Sequence, residues 1–83
     1  MRVLFIADPL ESFKPYKDST FAMMGEAARR GHTLYFCEPS AIAAMGGRVQ
    51  ANASRLQLTD PSGETSPWWQ LEQPVHEPLA AFD

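Results

Sequence analysis

The sequence predicts an α/β fold with two parallel strands and a β-hairpin, and three observations lead to this prediction. The N-terminal run Val3–Ala7 is apolar and rich in strand formers, as in a strand buried on both faces of a parallel sheet. A helical pattern over residues 20–30 and a second strand candidate over 32–37 follow it. Further along, Gly46-Gly47 separates two runs of strand type, which is a hairpin signal.

Length and composition allow one small globular domain. The chain has 83 residues, of which 45% are hydrophobic and 20% are charged. Its longest apolar runs have five residues, whereas a membrane-spanning helix needs about 20 and a secretory signal about 7–15. The cytoplasm is therefore the expected location. A single cysteine, Cys37, excludes an internal disulfide framework.

Charge is distributed unevenly along the chain. The net charge is −3, but residues 1–58 carry +2 and residues 59–83, which contain no Lys or Arg, carry −5. A general nucleic-acid binder would be basic. We therefore expect neither a nucleic-acid partner nor a membrane partner.

The first strand and the helix have clear boundaries. The strand ends at Asp8-Pro9, because proline cannot continue a hydrogen-bonded ladder. A polar loop over 10–17 follows, and then Asp18 or Ser19 is suited to accept a free backbone N–H as the helix cap. Gly31 is the expected helix stop. With the second strand, these elements form a βαβ unit, whose crossover is expected to be right-handed.

Two further patterns within the first 58 residues concern the helix and the hairpin. Glu26 and Arg30 lie four residues apart in the helix and are spaced to pair. Residues 41–45 and 48–58 read as the two strands of the hairpin, although a helix capped by Ser40 is the competing interpretation of 41–45.

The remaining residues differ in character. Four prolines lie within 59–78, which predicts irregular structure with one helical turn near Trp68–Glu72, and 79–83 reads as the approach to another strand. Trp68-Trp69 has two competing interpretations: both rings cover an edge of a missing remainder or a neighbouring subunit, or one ring packs on this domain's own core. Stacking on nucleic acid is disfavoured by the acidic tail. The thin sheet with an open edge suggests the opening part of a longer protein.

Several segments closely resemble the N-terminus of bacterial glutathione synthetases. They are Ala7-Asp-Pro-Leu, Lys17-Asp-Ser-Thr-Phe-Ala-Met23, Glu26-Ala-Ala-Arg-Arg-Gly31-His, Tyr35-Phe-Cys-Glu38, Ala51–Leu58 and Pro78–Asp83. The resemblance spans the whole chain, and the KDSTFAM motif at this distance from a strand-terminal Asp-Pro is its specific part. It implies a Rossmann-like, pre-ATP-grasp layer, with residues 1–83 as an N-terminal substrate-binding domain.

The resemblance also implies an activity for a parent protein. That family is an ATP-dependent ligase, which joins γ-L-glutamyl-L-cysteine to glycine through an acyl phosphate, uses Mg²⁺ and forms homo-oligomers. The chain stops at Asp83, before the ATP-grasp region, so the piece alone is expected to be inactive and to bind no cofactor. Two alternatives remain open: a free-standing, non-enzymatic interaction module, and another ATP-grasp ligase with a different acceptor.

The candidate substrate-binding residues surround the start of the helix. Lys17, Asp18, Ser19 and Thr20 combine free backbone N–H groups, the positive end of the helix dipole and a lysine charge, which favour an anion such as a substrate carboxylate. Asp8 ends the first strand in the same neighbourhood and is suited to a substrate amine. The plain alternatives are ordinary helix capping with a solvated Lys17, and a turn role for Asp8.

No catalytic or metal-binding motif is present in the sequence. His32, Cys37 and His76 match no common zinc spacing. Cys37 is expected to be a core residue. Gly46-Gly47 belongs to neither a P-loop nor a dinucleotide-binding motif, so it is expected to form a turn.

Overall fold

The computed structural model describes residues 1–14, 18–60, 62–64 and 67–82. Over these ranges the chain forms one α-helix, six β-strands and three short 3-10 turns, which confirms the α/β class. The strands are β1 (Arg2–Ile6), β2 (Thr33–Cys37), β3 (Ile42–Met45), β4 (Arg48–Leu58), β5 (Trp69–Leu71) and β6 (Val75–Pro78), and the helix is α1 (Ser19–Arg29).

The sheet is mixed rather than wholly parallel. Strands β1 and β2 are parallel, in a register that runs from Arg2 opposite Thr33 to Ile6 opposite Cys37. The other pairings in the described ranges are antiparallel, and each of them includes β4. Along the main path the strand order is β1-β2-β4-β3, and β5 and β6 also pair with β4.

The predicted hairpin is confirmed. Strands β3 and β4 pair antiparallel up to Met45 opposite Arg48, with Gly46-Gly47 as the two-residue turn. Both glycines have positive φ, +58° and +79°, as a type I′ turn requires. The competing helix over residues 41–45 is wrong, because Ile42–Met45 is a strand that follows a 3-10 turn at Pro39–Ala41.

Helix α1 forms where the sequence predicts it. Asp18 is the N-cap, and its Oδ1 accepts from the Thr20 N–H at 3.3 Å. Gly31 follows the helix with φ +84°, the left-handed conformation expected of the residue after a helix end. Phe21 and Met24 are buried against the sheet, whereas Met23 on the outer surface is 56% exposed.

The larger core lies between α1 and the sheet. Its buried members are Leu10, Phe21, Met24, Leu34, Phe36, Leu56 and Trp68. The Trp68 ring meets the Phe21 ring edge to face, with 4.7 Å between centroids, while Trp69 is only partly buried. The second interpretation of the tryptophan pair therefore holds: one ring belongs to this domain's own core.

Part of the opposite face of the sheet is covered by the end of the C-terminal strap, which we define as residues 75–82 and which begins as strand β6. Leu79 and Phe82 of the strap pack over the buried side chains of Cys37, Ala51 and Ala53. The small side chains of the two alanines allow the strap to lie close to the sheet.

Arg2 attaches the strap to the first strand. Its guanidinium lies 4.8 Å from the Tyr35 ring centroid and 5.0 Å from that of Phe82, and it forms an ion pair with Glu77. Arg2 Nη1 also donates to the Ala81 carbonyl oxygen at 3.4 Å. The hydrogen bond to Glu77, followed by that to Tyr35, raises the pKa of Arg2. The two ends of the described chain are thus held together by one side chain.

The prediction for residues 59–83 is wrong in two respects. A strand, β5, occupies most of the place predicted for a helical turn near Trp68–Glu72, and β6 follows in the segment predicted to be irregular. Pro78 is the last residue of β6, where its missing N–H is tolerated. Leu79–Ala81 forms a 3-10 turn where the approach to another strand is expected.

Glu26 pairs with two arginines at the end of α1. The predicted contact with Arg30 is confirmed at 2.9 Å, and Arg29 adds two hydrogen bonds of 2.6 and 3.0 Å to the same carboxylate. The Arg29 hydrogen bond, and after it that of Arg30, lowers the pKa of Glu26 from 4.5 to about 2.

This shift predicts a loss of stability in acid. A carboxyl whose folded pKa is depressed stabilises the fold above its unfolded pKa, and that contribution disappears as pH falls from about 4.5 to about 2. As the pH is lowered across this range, the urea midpoint of unfolding should fall less steeply in Glu26→Gln than in the unsubstituted protein. Glu11→Gln is the matched control, because Glu11 is exposed and forms no ion pair with a described residue. The same dependence of the urea midpoint on pH in the unsubstituted protein and in both variants would contradict the prediction.

Two adjacent methionines allow a test of the helix-to-sheet core. Met24 is fully buried, so Met24→Ala should lower the free energy of unfolding by about 2–5 kcal/mol through lost burial and a residual cavity. Met23→Ala, on the exposed side of the same helix turn, should change it by less than about 0.5 kcal/mol. Denaturant unfolding of both variants measures the difference, and similar losses would mean that α1 packs by a different face.

Candidate functional site

The carboxyl ends of the two parallel strands meet at one edge of the sheet. The Ala7 N–H donates to the Cys37 carbonyl oxygen at 3.1 Å, so Asp8 and Glu38, the next residue of each chain segment, leave the sheet side by side. At the opposite end, the Thr33 N–H donates to the Met1 carbonyl oxygen at 2.9 Å. Helix α1 ends shortly before the start of β2, at that opposite end, and it packs along β2. Its first turn therefore lies toward Asp8 and Glu38. We call this region the carboxyl edge: Asp8, Glu38 and residues 18–20.

Of the predicted site residues that the structure describes, Asp8 follows β1 and residues 18–20 form the start of α1, so the order of the elements directs them toward the same edge. Asp8 is exposed in a bend after β1, Ser19 is exposed, and Thr20 is half-buried in the first turn of α1. Asp18 caps the helix through Thr20, so the plain capping interpretation of its side chain is confirmed. Lys17 lies outside the residues that the structure describes.

Part of the loop that joins β1 to α1 is anchored in the core. Leu10 is only 2% exposed, and it lies in a 3-10 turn over Leu10–Ser12. The Ser12 hydroxyl donates to the Pro9 carbonyl oxygen at 2.6 Å, and the Phe13 ring lies 5.8 Å from that of Trp68. The backbone that follows Asp8 is therefore held by packing.

A pocket beside the end of β2 was not predicted from the sequence. Its volume is about 320 Å³, and its polar lining consists of Glu38, Ser40, Asn52 and Ser54. Asn52 Oδ1 also lies 2.8 Å from His76 Nδ1 on the neighbouring strand β6. The available signal was the alternation of β4, in which Asn52 and Ser54 fall on the side opposite the buried alanines 51 and 53.

Cys37 contributes to the lining of this pocket but is shielded. Its side chain belongs to the core beneath the strap, and burial raises the pKa of the thiol. A protonated, shielded thiol is a poor nucleophile. The expectation of a core residue is confirmed.

The described ranges do not fit a resident metal. No group of three or more His, Cys, Asp or Glu side chains within them is arranged to hold an ion. The residues at the carboxyl edge therefore offer no cage for Mg²⁺. Within the same ranges, no helix is long and apolar enough to cross a membrane.

Several polar groups lie toward one edge of the sheet. A capped helix start, a strand-terminal aspartate and a polar pocket lie near the carboxyl ends of parallel strands, where open α/β sheets commonly hold ligands. Fold and site together define an α/β domain that offers hydrogen-bonding groups at one edge of its sheet.

Comparisons with known proteins identify the family. The family model for the prokaryotic glutathione synthetase N-terminal domain matches residues 1–83. The chain is 48% identical over 83 residues to a glutathione synthetase of Ralstonia nicotianae, 43% identical over 84 residues to one of Neisseria meningitidis serogroup B, and 42% identical over 83 residues to one of Nitrosomonas europaea. The chain belongs to the prokaryotic glutathione synthetase N-terminal domain family.

The match covers all of this chain but only part of each relative. It takes in 25% of the Ralstonia protein and 26% of the other two. The chain thus spans about a quarter of the length of the curated relatives that it matches.

The capping role of Asp18 is directly testable. Asp18→Ala removes the acceptor for the Thr20 N–H and should cost about 0.5–2 kcal/mol of stability, whereas Asp18→Asn, which keeps a side-chain oxygen, should restore most of it. Thermal or denaturant unfolding measures both variants. If Asp18→Asn were as unstable as Asp18→Ala, the charge of Asp18, rather than its capping oxygen, would be the stabilising feature.

Proposed function

We propose that this chain is the N-terminal domain of a glutathione synthetase. The whole protein would be an ATP-dependent ligase that joins γ-L-glutamyl-L-cysteine to glycine through an acyl phosphate and releases ADP and phosphate. The observation that carries the proposal is the match of the family model to every residue of the chain, and the names of the relatives support it.

The domain's own contribution would be substrate binding at the carboxyl edge. A substrate carboxylate would lie at the start of α1, where backbone N–H groups and the helix dipole favour an anion and Lys17 adds a full positive charge. The Ser19 backbone N–H and the hydroxyls of Ser19 and Thr20 would contribute to the same site, while Asp18 caps the turn by accepting from the Thr20 N–H. Asp8 would accept a hydrogen bond from the substrate amine.

The chemical step would belong to a region outside this chain. Mg²⁺ and ATP would bind in an ATP-grasp domain, where the cation supplies neutralisation of phosphate charge during acyl transfer. In the complete protein this domain would form a Rossmann-like layer and contribute to a homo-oligomer in the cytoplasm. The parallel β1–β2 pair with its intervening helix supports the Rossmann-like assignment.

The proposal can be tested on the protein that its own cell makes. An intact mass about four times the 9.2 kDa of this chain is expected from the quarter-length match, together with formation of glutathione from γ-glutamylcysteine, glycine and ATP. A native product of about 9.2 kDa would favour a free-standing interaction module instead. A full-length ligase that rejects glycine but accepts another amine would indicate a different acceptor.

Lys17 distinguishes a substrate role from a solvated surface role. In the full-length enzyme, Lys17→Ala should raise KM for γ-glutamylcysteine by about tenfold or more, because a hydrogen bond to a charged group is lost. KM for ATP and the melting temperature should change little. Lys14→Ala is the matched control, since Lys14 is an exposed cation three residues earlier in the same loop. An unchanged KM for the dipeptide in Lys17→Ala would remove Lys17 from the site.

A further inference from the structure

The strands that flank β4 are arranged in two lines, one along each of its edges. Odd-numbered residues of β4 direct their backbone groups toward β5, since Arg55 accepts from the Glu72 N–H and the Thr59 N–H donates to Trp68. Even-numbered residues therefore face the other edge, and Arg48, which follows the hairpin turn, pairs there with β3. Strands β2 and β3 thus lie along one edge of β4, and β5 and β6 lie along the other.

The polar pocket beside the end of β2 forms where both lines leave the register of β4. On one edge, residues 37–41 stand opposite only residues 52 and 53 of β4. On the other edge, residues 72–74 stand opposite only residues 54 and 55. Extra residues of this kind form β-bulges, which are over-represented next to active sites. We call the 320 Å³ space that they border the bulge pocket.

The bulge pocket lies on the same face of the sheet as α1. Phe36 and Leu56 belong to the core beneath the helix, and Asn52 and Ser54 share that face by the alternation of β4. Phe36, Asn52 and Ser54 all line the pocket. Because Glu38 belongs both to the pocket lining and to the carboxyl edge, the pocket adjoins the end of the sheet toward which the first turn of α1 lies.

Glu38 supplies the charge of the bulge pocket. Of the described residues that line the pocket, Glu38 alone is charged, and it forms no ion pair with a described residue. Its backbone is held by the 3-10 turn that follows, in which the Ala41 N–H donates to the Glu38 carbonyl oxygen at 2.9 Å. A carboxylate in this position attracts a cation and repels an anion.

Neutral hydrogen-bonding groups complete the polar part of the lining. Ser40 and Ser54 contribute hydroxyls, which accept as well as donate, and Asn52 contributes an amide whose Oδ1 lies 2.8 Å from His76 Nδ1. An ammonium group has three N–H donors, so a carboxylate surrounded by hydroxyl acceptors matches it. A volume of about 320 Å³ falls at the lower end of the range of small-molecule sites.

We propose that the bulge pocket receives the α-ammonium group at the γ-glutamyl end of the substrate dipeptide, with Glu38 as the specificity-determining residue. The inference rests on the proposed function, because it takes γ-glutamylcysteine as the ligand. Asp8 leaves the sheet beside Glu38, so the ammonium group bonds to both carboxylates. The charge of Glu38 keeps substrate carboxylates out of the pocket, which fixes the direction in which the dipeptide binds.

Glycine is the less favoured occupant of the bulge pocket. In the proposed reaction the glycine nitrogen attacks an acyl phosphate, and it must do so as a free amine. A neighbouring carboxylate stabilises the protonated form of an amine and would oppose that step. The glutamyl ammonium takes no part in the bond that forms, so it remains protonated throughout.

Kinetics of the full-length enzyme with two dipeptides test the proposal. γ-Glutamylcysteine and glutarylcysteine differ only in the ammonium group. Glu38→Gln keeps the size of the side chain and removes its charge, so it should lower kcat/KM for γ-glutamylcysteine by about tenfold or more and leave that for glutarylcysteine nearly unchanged. Glu11→Gln is the matched control, because Glu11 is an exposed carboxylate outside the pocket lining, and it should change neither value.

Three results would overturn the proposal. The first is an unchanged preference for γ-glutamylcysteine over glutarylcysteine in Glu38→Gln, which would leave Asp8 as the residue that holds the ammonium group. The second is an equal loss with both dipeptides, which would give Glu38 a role that does not depend on the ammonium group. The third is a raised KM for glycine with no change for either dipeptide, which would assign the bulge pocket to glycine.

Calorimetric binding without ATP separates the bulge pocket from the proposed function. A protein that forms no glutathione, yet binds γ-glutamylcysteine with an affinity that Glu38→Gln lowers by about tenfold and Glu11→Gln does not, contradicts the function alone. A protein that forms glutathione with the same dipeptide preference in Glu38→Gln contradicts the pocket assignment alone. A protein that neither forms glutathione nor binds the dipeptide contradicts both.

Discussion

Strand β4 is the constraint on which the rest of the structure depends, because it pairs with four of the other strands. Around Ala51 it is flanked by β3 and β6, and around Leu56 it is flanked by β2 and β5. The same strand contributes to both cores, with Leu56 beneath α1 and Ala51 beneath the strap. Without β4, the strands would remain as pairs or single strands, which are marginal in water. The position of β2, and with it the carboxyl edge, is therefore fixed by a strand that lies after it in the chain.

The first 38 residues were predictable because their signals are local. An apolar run, a capping aspartate and a glycine stop each act within a few residues, and the structure has β1, α1 and β2 close to where these signals place them. The hairpin was predictable for the same reason, since two glycines with positive φ determine its turn. Strands β5 and β6 were not predictable. They have three and four residues, most of which are exposed, and their pairing partner β4 lies earlier in the chain. Nothing in their local composition outweighs the surrounding prolines.

The site was predictable only in part, again because of distance along the chain. The strand-terminal Asp8 and the helix cap Asp18 follow from the order of elements in a βαβ unit. The polar pocket depends on Asn52 and Ser54 of β4 lying beside Glu38 after β2, which requires the antiparallel register of those two strands. The alternation of β4 indicates which of its side chains share a face, but it does not indicate what lies opposite them.

Under the proposed function, the groups at the carboxyl edge would neutralise a substrate anion only in part. The exposed residues Asp8 and Glu38 follow the two parallel strands, and the carboxylate of Asp18 accepts a hydrogen bond from the Thr20 N–H. A helix start offers only about half a positive charge, whereas a substrate carboxylate carries a full negative charge. A full cation would therefore be needed beside the helix start, and Lys17, the residue immediately before the Asp18 cap, is the residue of this chain that we propose supplies it.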